Sequence, residues 1–236
     1  MARLLGSELI KIKRKMILFL VFLGPFGVIA LEAVNFGVRY DWLTGVYKDD
    51  LWKGLIGEVS MLSVPTILIG LTILTSMIAN IEHQTNAWKQ LLALPISKTK
   101  VYSAKFLLTV ILLLISCFLL MVGTIILGLA LKFGTSIPLV YLFKMCFYPF
   151  LAALPILALQ IWLAITLKNQ AIPLTVGILG TIISMYAVAF PDWVPWKWPL
   201  LLNEWGKPIF SVIAGILLGF IIYLVSILDF SRREVK

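Results

Sequence analysis

The stretch VYSAKFLLTVILLLISCFLLMVGTIILGLAL, residues 101–131, decides the structural class of this chain. It runs for 31 residues and contains a single charged side chain, Lys105. A helix needs about 20 apolar residues to cross the hydrocarbon core of a bilayer, and the stretch lacks the period-2 alternation of a barrel strand. The sequence therefore predicts a membrane-spanning helix that is long enough to tilt or to project beyond the bilayer.

The composition of the whole chain agrees with this stretch. Of the 236 residues, 61% are hydrophobic and only 13% are charged, and the mean hydropathy is +1.03. Soluble domains have about 45–50% apolar and about 25% charged residues. These numbers exclude a water-soluble globular protein, a disordered segment and a fibrous repeat. We therefore expect an all-α integral membrane protein, because a helix satisfies its own backbone groups in lipid.

We predict six transmembrane helices, which make residues 1–236 a single transmembrane domain. Pro149 and Pro155 interrupt the fourth span, and the fourth and fifth spans form a tight hairpin. The spans cover residues 16–38, 58–81, 101–131, 141–167, 171–190 and 209–228. An even number of spans places both termini on the same side of the membrane.

The distribution of charge predicts the orientation. With both termini inside, 13 Lys and Arg residues lie on the cytoplasmic side and 7 on the outer side. After the acids are counted, the whole net charge of +9 is cytoplasmic and the outer side is neutral. The positive-inside rule therefore predicts a multi-pass protein of the bacterial plasma membrane with both termini in the cytoplasm.

Residues 1–15, MARLLGSELIKIKRK, predict an interfacial helix before the first span. Its apolar residues recur at helical spacing and form one stripe, Leu5, Leu9, Ile12 and Met16. The polar residues of interest on the rest of its surface are Glu8, Lys11, Lys13 and Arg14. Glu8 stands one turn before Lys11 and is placed to pair with it. Either this helix lies on the inner leaflet and contacts a cytoplasmic partner, or it is only a charged stop before the first span.

The cytoplasmic loop of residues 82–100, EHQTNAWKQLLALPISKTK, predicts a short helix below the membrane. Trp88, Leu91 and Leu92 share one face of that helix, and Pro95 ends it. Ser97 can cap the helix that continues into the third span. The Trp/Leu face either docks in a groove of a partner or lies on the lipid interface, where Trp is common.

The outer loop of residues 191–208, PDWVPWKWPLLLNEWGKP, contains four of the eight Trp residues and four Pro residues. Trp193, Trp196 and Trp198 form either a lid at the exit for an amphipathic substrate or a simple aromatic anchor.

Two further sets of residues are of interest within the spans. Small residues predict a close packing face on the sixth span, within one subunit or between two: Ser211, Gly215 and Gly219. Glu32 and Glu58 are acids near the outer boundary of the spans. We expect their side chains to snorkel outward to the membrane surface rather than to contact a cationic peptide.

The chain lacks the motifs of an enzyme. It contains one histidine, His83, and no GxSxG, HExxH, CxxC or Walker A motif. We therefore expect no catalytic residue, no bound metal or cofactor and no nucleic-acid partner. The energy for any transport must come from a partner protein or from a gradient.

Two motifs resemble those of ABC-2 type ABC transporter permeases. SELIKIKRK, residues 7–15, resembles the family's S/A-E-x-x-K-x-K-R opening. Glu82 followed by WKQLLALPISKTKVYSAKF resembles the family's acid, its short helix ending in Leu-Pro-x-Ser and its Lys at the start of the third span. Within the family, the chain is most similar to permeases of lantibiotic-immunity and bacitracin-type peptide exporters.

The resemblance implies a transport subunit, not an enzyme, whose residues 86–95 form a coupling helix for a separate soluble ATPase. Trp88, Leu91 and Leu92 would then dock on the ATPase, and Pro95 and Ser97 would set the break after the helix. Glu82 and Lys105 would hold the loop against neighbouring elements. The resemblance also implies short re-entrant helices in the outer loop.

The same resemblance implies the composition of the complex. Two ATPase subunits would bind ATP and Mg, and the second permease would be identical or non-identical. The implied activity is export of an amphipathic antimicrobial peptide from the bilayer, which gives immunity or resistance. The alternatives are a non-transporting sensor or scaffold subunit, or an ABC-2 exporter of a lipid or another hydrophobic substrate.

Overall fold

A computed structural model describes residues 2–13, 15–84 and 97–232. All regular structure in these ranges is helical, which confirms the all-α prediction for them. The helices are α1 (Ala2–Ile12), α2 (Ile17–Val38), α3 (Tyr40–Val46), α4 (Leu51–Gln84), α5 (Lys98–Ala130), α6 (Leu139–Ala152), α7 (Leu154–Thr166), α8 (Ala171–Met185) and α9 (Pro208–Arg232), with 3-10 turns at Ala187–Ala189 and Trp198–Leu200.

Four helices in the described ranges, α2, α4, α5 and α9, are long and apolar enough to cross a membrane. Helices α6 and α7 meet at a bend of 43° and provide a fifth candidate if they form one span. Helix α8 has 15 residues, a length of roughly 22 Å, which is shorter than a hydrocarbon core of about 30 Å. The chain is thus a multi-pass membrane protein whose described residues contain four or five candidate spans, and the fifth of the six predicted spans corresponds to the short α8.

Several helix ends differ from the predicted spans. Helix α4 begins at Leu51, seven residues before the predicted start, and α3 lies in a segment for which no helix was predicted. Helix α8 ends at Met185 rather than near Phe190, which has an extended backbone with φ −83° and ψ 153°. Phe190 precedes Pro191, and the residue before a proline disfavours the helical conformation. The α6–α7 bend falls between the two prolines that were predicted to interrupt this span, Pro149 and Pro155.

Helix α4 is the centre of the bundle. The protein buries 56% of its most apolar window, against at most 33% for α2, α5 and α9. One core cluster joins α4 to α1, α2, α5, α6 and α7, and a second surrounds Trp52 near the other end of α4. Large apolar side chains on α2 and α9 remain exposed, among them Phe19, Phe22, Phe26 and Phe220. Such faces suit contact with lipid.

The small face of α9 packs within one chain against the α6–α7 bend. A Cβ atom on Gly215 would lie 2.6 Å from the Ala152 Cα, and one on Gly219 would lie 2.8 Å from the Leu154 Cβ. Ser211 is fully buried and accepts a hydrogen bond from Asn203 Nδ2 at 2.8 Å. The absence of larger side chains lets the backbone of α9 approach the bend closely.

Candidate functional site

Four charged side chains meet where α1, the end of α4 and the beginning of α5 converge. They are Glu8 and Lys11 on α1, Glu82 on α4 and Lys105 on α5. We call these four residues the charge cluster. They are spread over 97 positions of the chain, so the cluster exists only once the three helices have packed together.

Each carboxylate of the charge cluster bridges both lysines. Lys105 Nζ lies 2.8 Å from Glu8 Oε2 and 2.7 Å from Glu82 Oε2. Lys11 Nζ lies 2.5 Å from Glu8 Oε1 and 2.9 Å from Glu82 Oε1. The cluster therefore has no net charge and uses all four carboxylate oxygens. Lys105 also donates to the Ile78 carbonyl at 3.4 Å.

Burial makes this pairing obligatory. Lys105 is 0% exposed, Glu82 is 1% exposed and Glu8 is 4% exposed, whereas Lys11 is partly open to solvent. An isolated charge at such a depth is costly, whereas a paired and hydrogen-bonded charge is tolerated. The arrangement consequently holds α1, α4 and α5 in one relative position.

The partners also shift the ionisation of the two α1 residues. Burial by itself would raise the pKa of the Glu8 carboxyl, but the charge and hydrogen bond of Lys105 and the contact with Lys11 outweigh it, so this pKa is lowered. Burial would lower the pKa of Lys11, yet hydrogen bonds to Glu8 and Glu82 raise it. Both groups are therefore held in their charged forms.

The position of α1 adds contacts to the predicted pair of Glu8 and Lys11. Glu8 also contacts Lys105 of α5, and Lys11 also contacts Glu82 of α4. Of the predicted apolar stripe, Ile12 is buried, whereas Leu9 and Met16 are exposed on the surface of the protein. The buried charge of Lys105 requires carboxylate partners, and this places Glu8 against α5. Lys13 is exposed, and Arg14 lies outside the described residues.

The charge cluster holds both ends of the predicted coupling loop. Glu82 lies at the C-terminal end of α4, and Lys105 lies two turns into α5. Ser97 precedes α5 and occupies the N-cap position, although its hydroxyl makes no capping hydrogen bond and instead accepts from Thr99 Oγ1 at 3.2 Å. The remaining residues of the predicted docking segment lie outside the described ranges, namely Trp88, Leu91, Leu92 and Pro95.

The three tryptophans that were grouped as a possible lid have different environments. Trp193 is 74% exposed, Trp196 is half-buried against the core, and Trp198 is 7% exposed. Ser184 on α8 donates to the Trp196 carbonyl at 2.7 Å. A Cβ atom on Gly180 would lie 2.7 Å from Trp196 Nε1, so this ring packs directly on α8. Of the three, Trp193 alone is free to contact lipid or a ligand over most of its surface.

A buried ion pair organises the outer loop, residues 191–208. Lys197 Nζ lies 2.8 Å from Asp192 Oδ1 and donates to the Phe190 carbonyl at 2.7 Å. Asp192 also accepts from the backbone N–H of Glu204 at 2.6 Å, and its carbonyl accepts from Trp198 Nε1. The hydrogen bonds from Lys197 and Glu204 lower the pKa of the Asp192 carboxyl. This loop is therefore folded by its own side chains.

The two outer acids also differ from each other. Glu32 is only 3% exposed and accepts from Asn35 Nδ2 at 3.0 Å. The expectation that it snorkels outward is wrong, because the face of α2 that carries Val28, Glu32 and Phe36 packs into the protein. Glu58 is half-buried and accepts a hydrogen bond from the Tyr47 hydroxyl at 2.5 Å.

One residue of the charge cluster, Lys105, stands out in the sequence itself. Lys105 is the single charged residue in a 31-residue apolar stretch, and such a residue is expected to have buried partners. Glu82 was placed near it only through the family resemblance, and Glu8 was assigned to Lys11 alone. The tertiary contact between α1 and α5 leaves no periodic pattern in either segment.

Comparison with known proteins identifies a family. Residues 4–184 match the family model described as ABC-2 family transporter protein. No curated protein and no solved structure matches the chain. The matched range contains the charge cluster and the whole predicted coupling loop, and it ends at Ser184, the residue that contacts the outer loop.

Proposed function

The chain belongs to the ABC-2 transporter family, and on that basis we propose that it is the membrane permease of an ATP-driven exporter in a bacterial plasma membrane. Both termini face the cytoplasm in this proposal. Separate ABC ATPase subunits, two per complex, bind ATP and Mg and supply the energy. A second permease, identical or non-identical, completes the complex.

The charge cluster is the observation that carries this proposal. A force applied to the loop of residues 85–96 reaches its two ends, and both ends are fixed to each other and to α1 through Glu82 and Lys105. A loop with tightly joined ends transmits displacement to α4 and α5 rather than absorbing it. In the proposal, Trp88, Leu91 and Leu92 seat in a groove of the ATPase, and its closure on ATP moves these helices.

The proposed substrate is an amphipathic antimicrobial peptide of the lantibiotic or bacitracin type, removed from the bilayer to the outside. The support for it is the resemblance of the two sequence motifs together with an outer loop that presents Trp193 to its surroundings. Trp rings reside at the depth of the headgroups, where an amphipathic peptide also lies.

One observation favours a second candidate, export of a lipid or another hydrophobic molecule. A cavity of about 220 Å³ lies between α2, α4 and α5. Its lining is mainly apolar and includes the small residues Gly24 and Gly70, and the hydroxyls of Ser63 and Thr66 on its wall donate to their own helix. Such a cavity suits an aliphatic chain better than a charged peptide.

Co-purification tests the proposed function. The permease is expressed with an affinity tag in its producing organism, and the ABC ATPase subunits that co-purify with it are measured. The double change Trp88→Ala and Leu91→Ala is expected to leave membrane insertion intact and to abolish recovery of the ATPase, because it removes the docking face.

The matched control is Trp193→Ala, which removes an exposed Trp of the outer loop and is expected to leave the complex intact. A complex that survives the double change would show that the coupling assignment is wrong. A complex that binds ATPase normally, but whose ATP turnover no peptide or lipid stimulates, would favour the sensor or scaffold alternative.

A further inference from the structure

A buried glutamine on α7 contacts the backbone of α8. Gln160 is 1% exposed, and its amide is satisfied in one orientation. In that orientation Nε2 donates to the Pro173 carbonyl at 3.1 Å and Oε1 accepts from the Gly177 N–H at 2.9 Å. A regular helix would join these two backbone groups to each other, because residues 173 and 177 are four apart. The side chain is therefore placed to take over one hydrogen bond of the α8 ladder.

Side chains of two other helices come close to the α8 backbone at Gly177. A Cβ atom on Gly177 would overlap the Thr72 side chain of α4 and the amide group of Gln160 on α7. Only glycine lets the side chains of α4 and α7 reach the α8 backbone at this point. A side chain that enters a helix ladder is one of the few causes of a local helix distortion.

The upper half of α8 is fixed to the outer loop. Trp196 packs on Gly180, one turn above Gly177, and Ser184 donates to the Trp196 carbonyl one turn further. A change in the shape or position of α8 must therefore displace the Trp196 segment. The lower end of α8 is held separately, by Gln170, which accepts from Ser76 Oγ and donates to the Ala164 and Leu167 carbonyls.

We propose that Gln160 is a latch for α8. With its amide inserted between Pro173 and Gly177, α8 is tied to α7. With the amide withdrawn, the two backbone groups bond to each other, and α8 becomes free to move and to carry the outer loop with it. Neither state leaves these two backbone groups unpaired in the membrane interior, where an unpaired group is costly. The latch is a property of this chain alone and holds whatever the transported molecule is.

The test uses the full-length chain in lipid nanodiscs, with Cys117 and Cys146 replaced by Ala. A reporter cysteine is introduced as Ala187→Cys, at a position that follows α8 closely and is 0% exposed. The measured quantity is the rate at which a maleimide modifies this cysteine. The leucine side chain of Gln160→Leu cannot form hydrogen bonds with the α8 backbone. We expect this variant to raise the modification rate roughly tenfold, in keeping with the loss of one buried hydrogen-bonded contact.

A second variant, Gln160→Glu, makes the latch dependent on pH. At about pH 5 the buried carboxyl is neutral and can both donate and accept, as the amide does, whereas at about pH 9 the carboxylate can only accept. Relative to the Gln160 protein at the same pH, we expect an equal rate at low pH and a faster rate at high pH. The partners of residue 160 are backbone groups that do not titrate, so the new carboxyl is the source of this change.

Gln170→Leu is the matched control, because it removes the half-buried amide that holds the lower end of α8 without touching the Pro173–Gly177 pair. It is expected to leave the modification rate of the reporter cysteine unchanged. Equal acceleration by Gln160→Leu and Gln170→Leu, or a pH-independent relative rate in Gln160→Glu, would overturn the latch. Neither result depends on an ATPase or a substrate, so the latch and the proposed function can fail separately.

Discussion

At the scale of single residues, paired buried charges connect distant segments of the molecule. Lys105 has no exposed surface and is bound by two carboxylates from two other helices. In the outer loop, Lys197 forms a similar ion pair with Asp192. A paired buried charge adds little net stability but makes the loss of one partner expensive. These residues therefore fix which segments contact one another.

Replacing Lys105 by Met tests the charge cluster. The change leaves Glu8 and Glu82 buried without their shared cation, and we expect a loss of about 3–5 kcal/mol in the free energy of unfolding. Thermal unfolding of the purified chain in detergent measures it. Lys100→Met is the matched control, since Lys100 is an exposed residue on the same helix. Equal unfolding temperatures for the two variants would contradict the structural role of Lys105.

The lowered pKa of Glu8 predicts a pH dependence. A carboxyl with a lowered pKa in the folded state stabilises the protein above its ordinary value of 4.5, and the contribution disappears as the pH falls through the lowered value. The difference in melting temperature between the natural chain and Glu8→Gln should therefore be largest near neutral pH and shrink below about pH 4.5. Glu204→Gln, at an exposed residue, serves as the control. A constant difference at all pH values would argue against the ion pair.

Asp192→Asn should loosen the outer loop, because it removes the charge that holds Lys197. Lys197 is only 7% exposed, and proteases require a locally open backbone. We expect trypsin to cleave after Lys197 several-fold faster in the variant. Cleavage after the exposed Lys48 provides an internal reference in the same digest. Unchanged cleavage at Lys197 would mean that the ion pair does not order this loop.

At the scale of helices, prolines and glycines determine where segments end and how closely they pack. Pro191 follows Phe190, whose backbone is extended, and the α6–α7 bend lies just before Pro155. Hydropathy predicted the long spans because each carries a continuous apolar stretch. It could not predict that α4 starts at Leu51, because that turn packs through Trp52 and contains polar residues as well. A continuous apolar stretch indicates which residues can contact lipid, whereas the residue at which a helix begins or ends depends on tertiary packing.

Gly215→Ala is expected to destabilise the packing of α9 on the α6–α7 bend. Its new methyl group would lie 2.6 Å from backbone atoms of Ala152, and overpacking of this kind costs about 1–3 kcal/mol. Gly27→Ala on α2 is the control, because nothing lies within 4 Å of its Cβ position and Ala favours a helix. Thermal unfolding should give a lower melting temperature for Gly215→Ala than for Gly27→Ala. Equal stability of the two variants would show that α9 does not pack closely there.

At the scale of the whole molecule, the sequence predicted an all-α membrane protein of the ABC-2 family. The family match confirms the family, and all regular structure in the described residues is helical. Apolar stretches and two short motifs were sufficient for this. The sequence could not show that both motifs meet in one cluster, because the contact of Glu8 with Lys105 joins residues 97 positions apart. It also missed Gln160, since a single amide in an apolar helix has no recognisable pattern. The number of spans, the orientation and the substrate stay predictions.

Photo-cross-linking from position 88 tests the central claim most directly. A photoreactive amino acid replaces Trp88 in one sample and Trp193 in another, and membranes of the producing cells are illuminated. We predict a cross-link to an ABC ATPase from position 88 and none from position 193. Cross-links from position 88 to lipid alone, or equal cross-linking of the ATPase from both positions, would contradict the assignment of this loop as the attachment site of the ATPase.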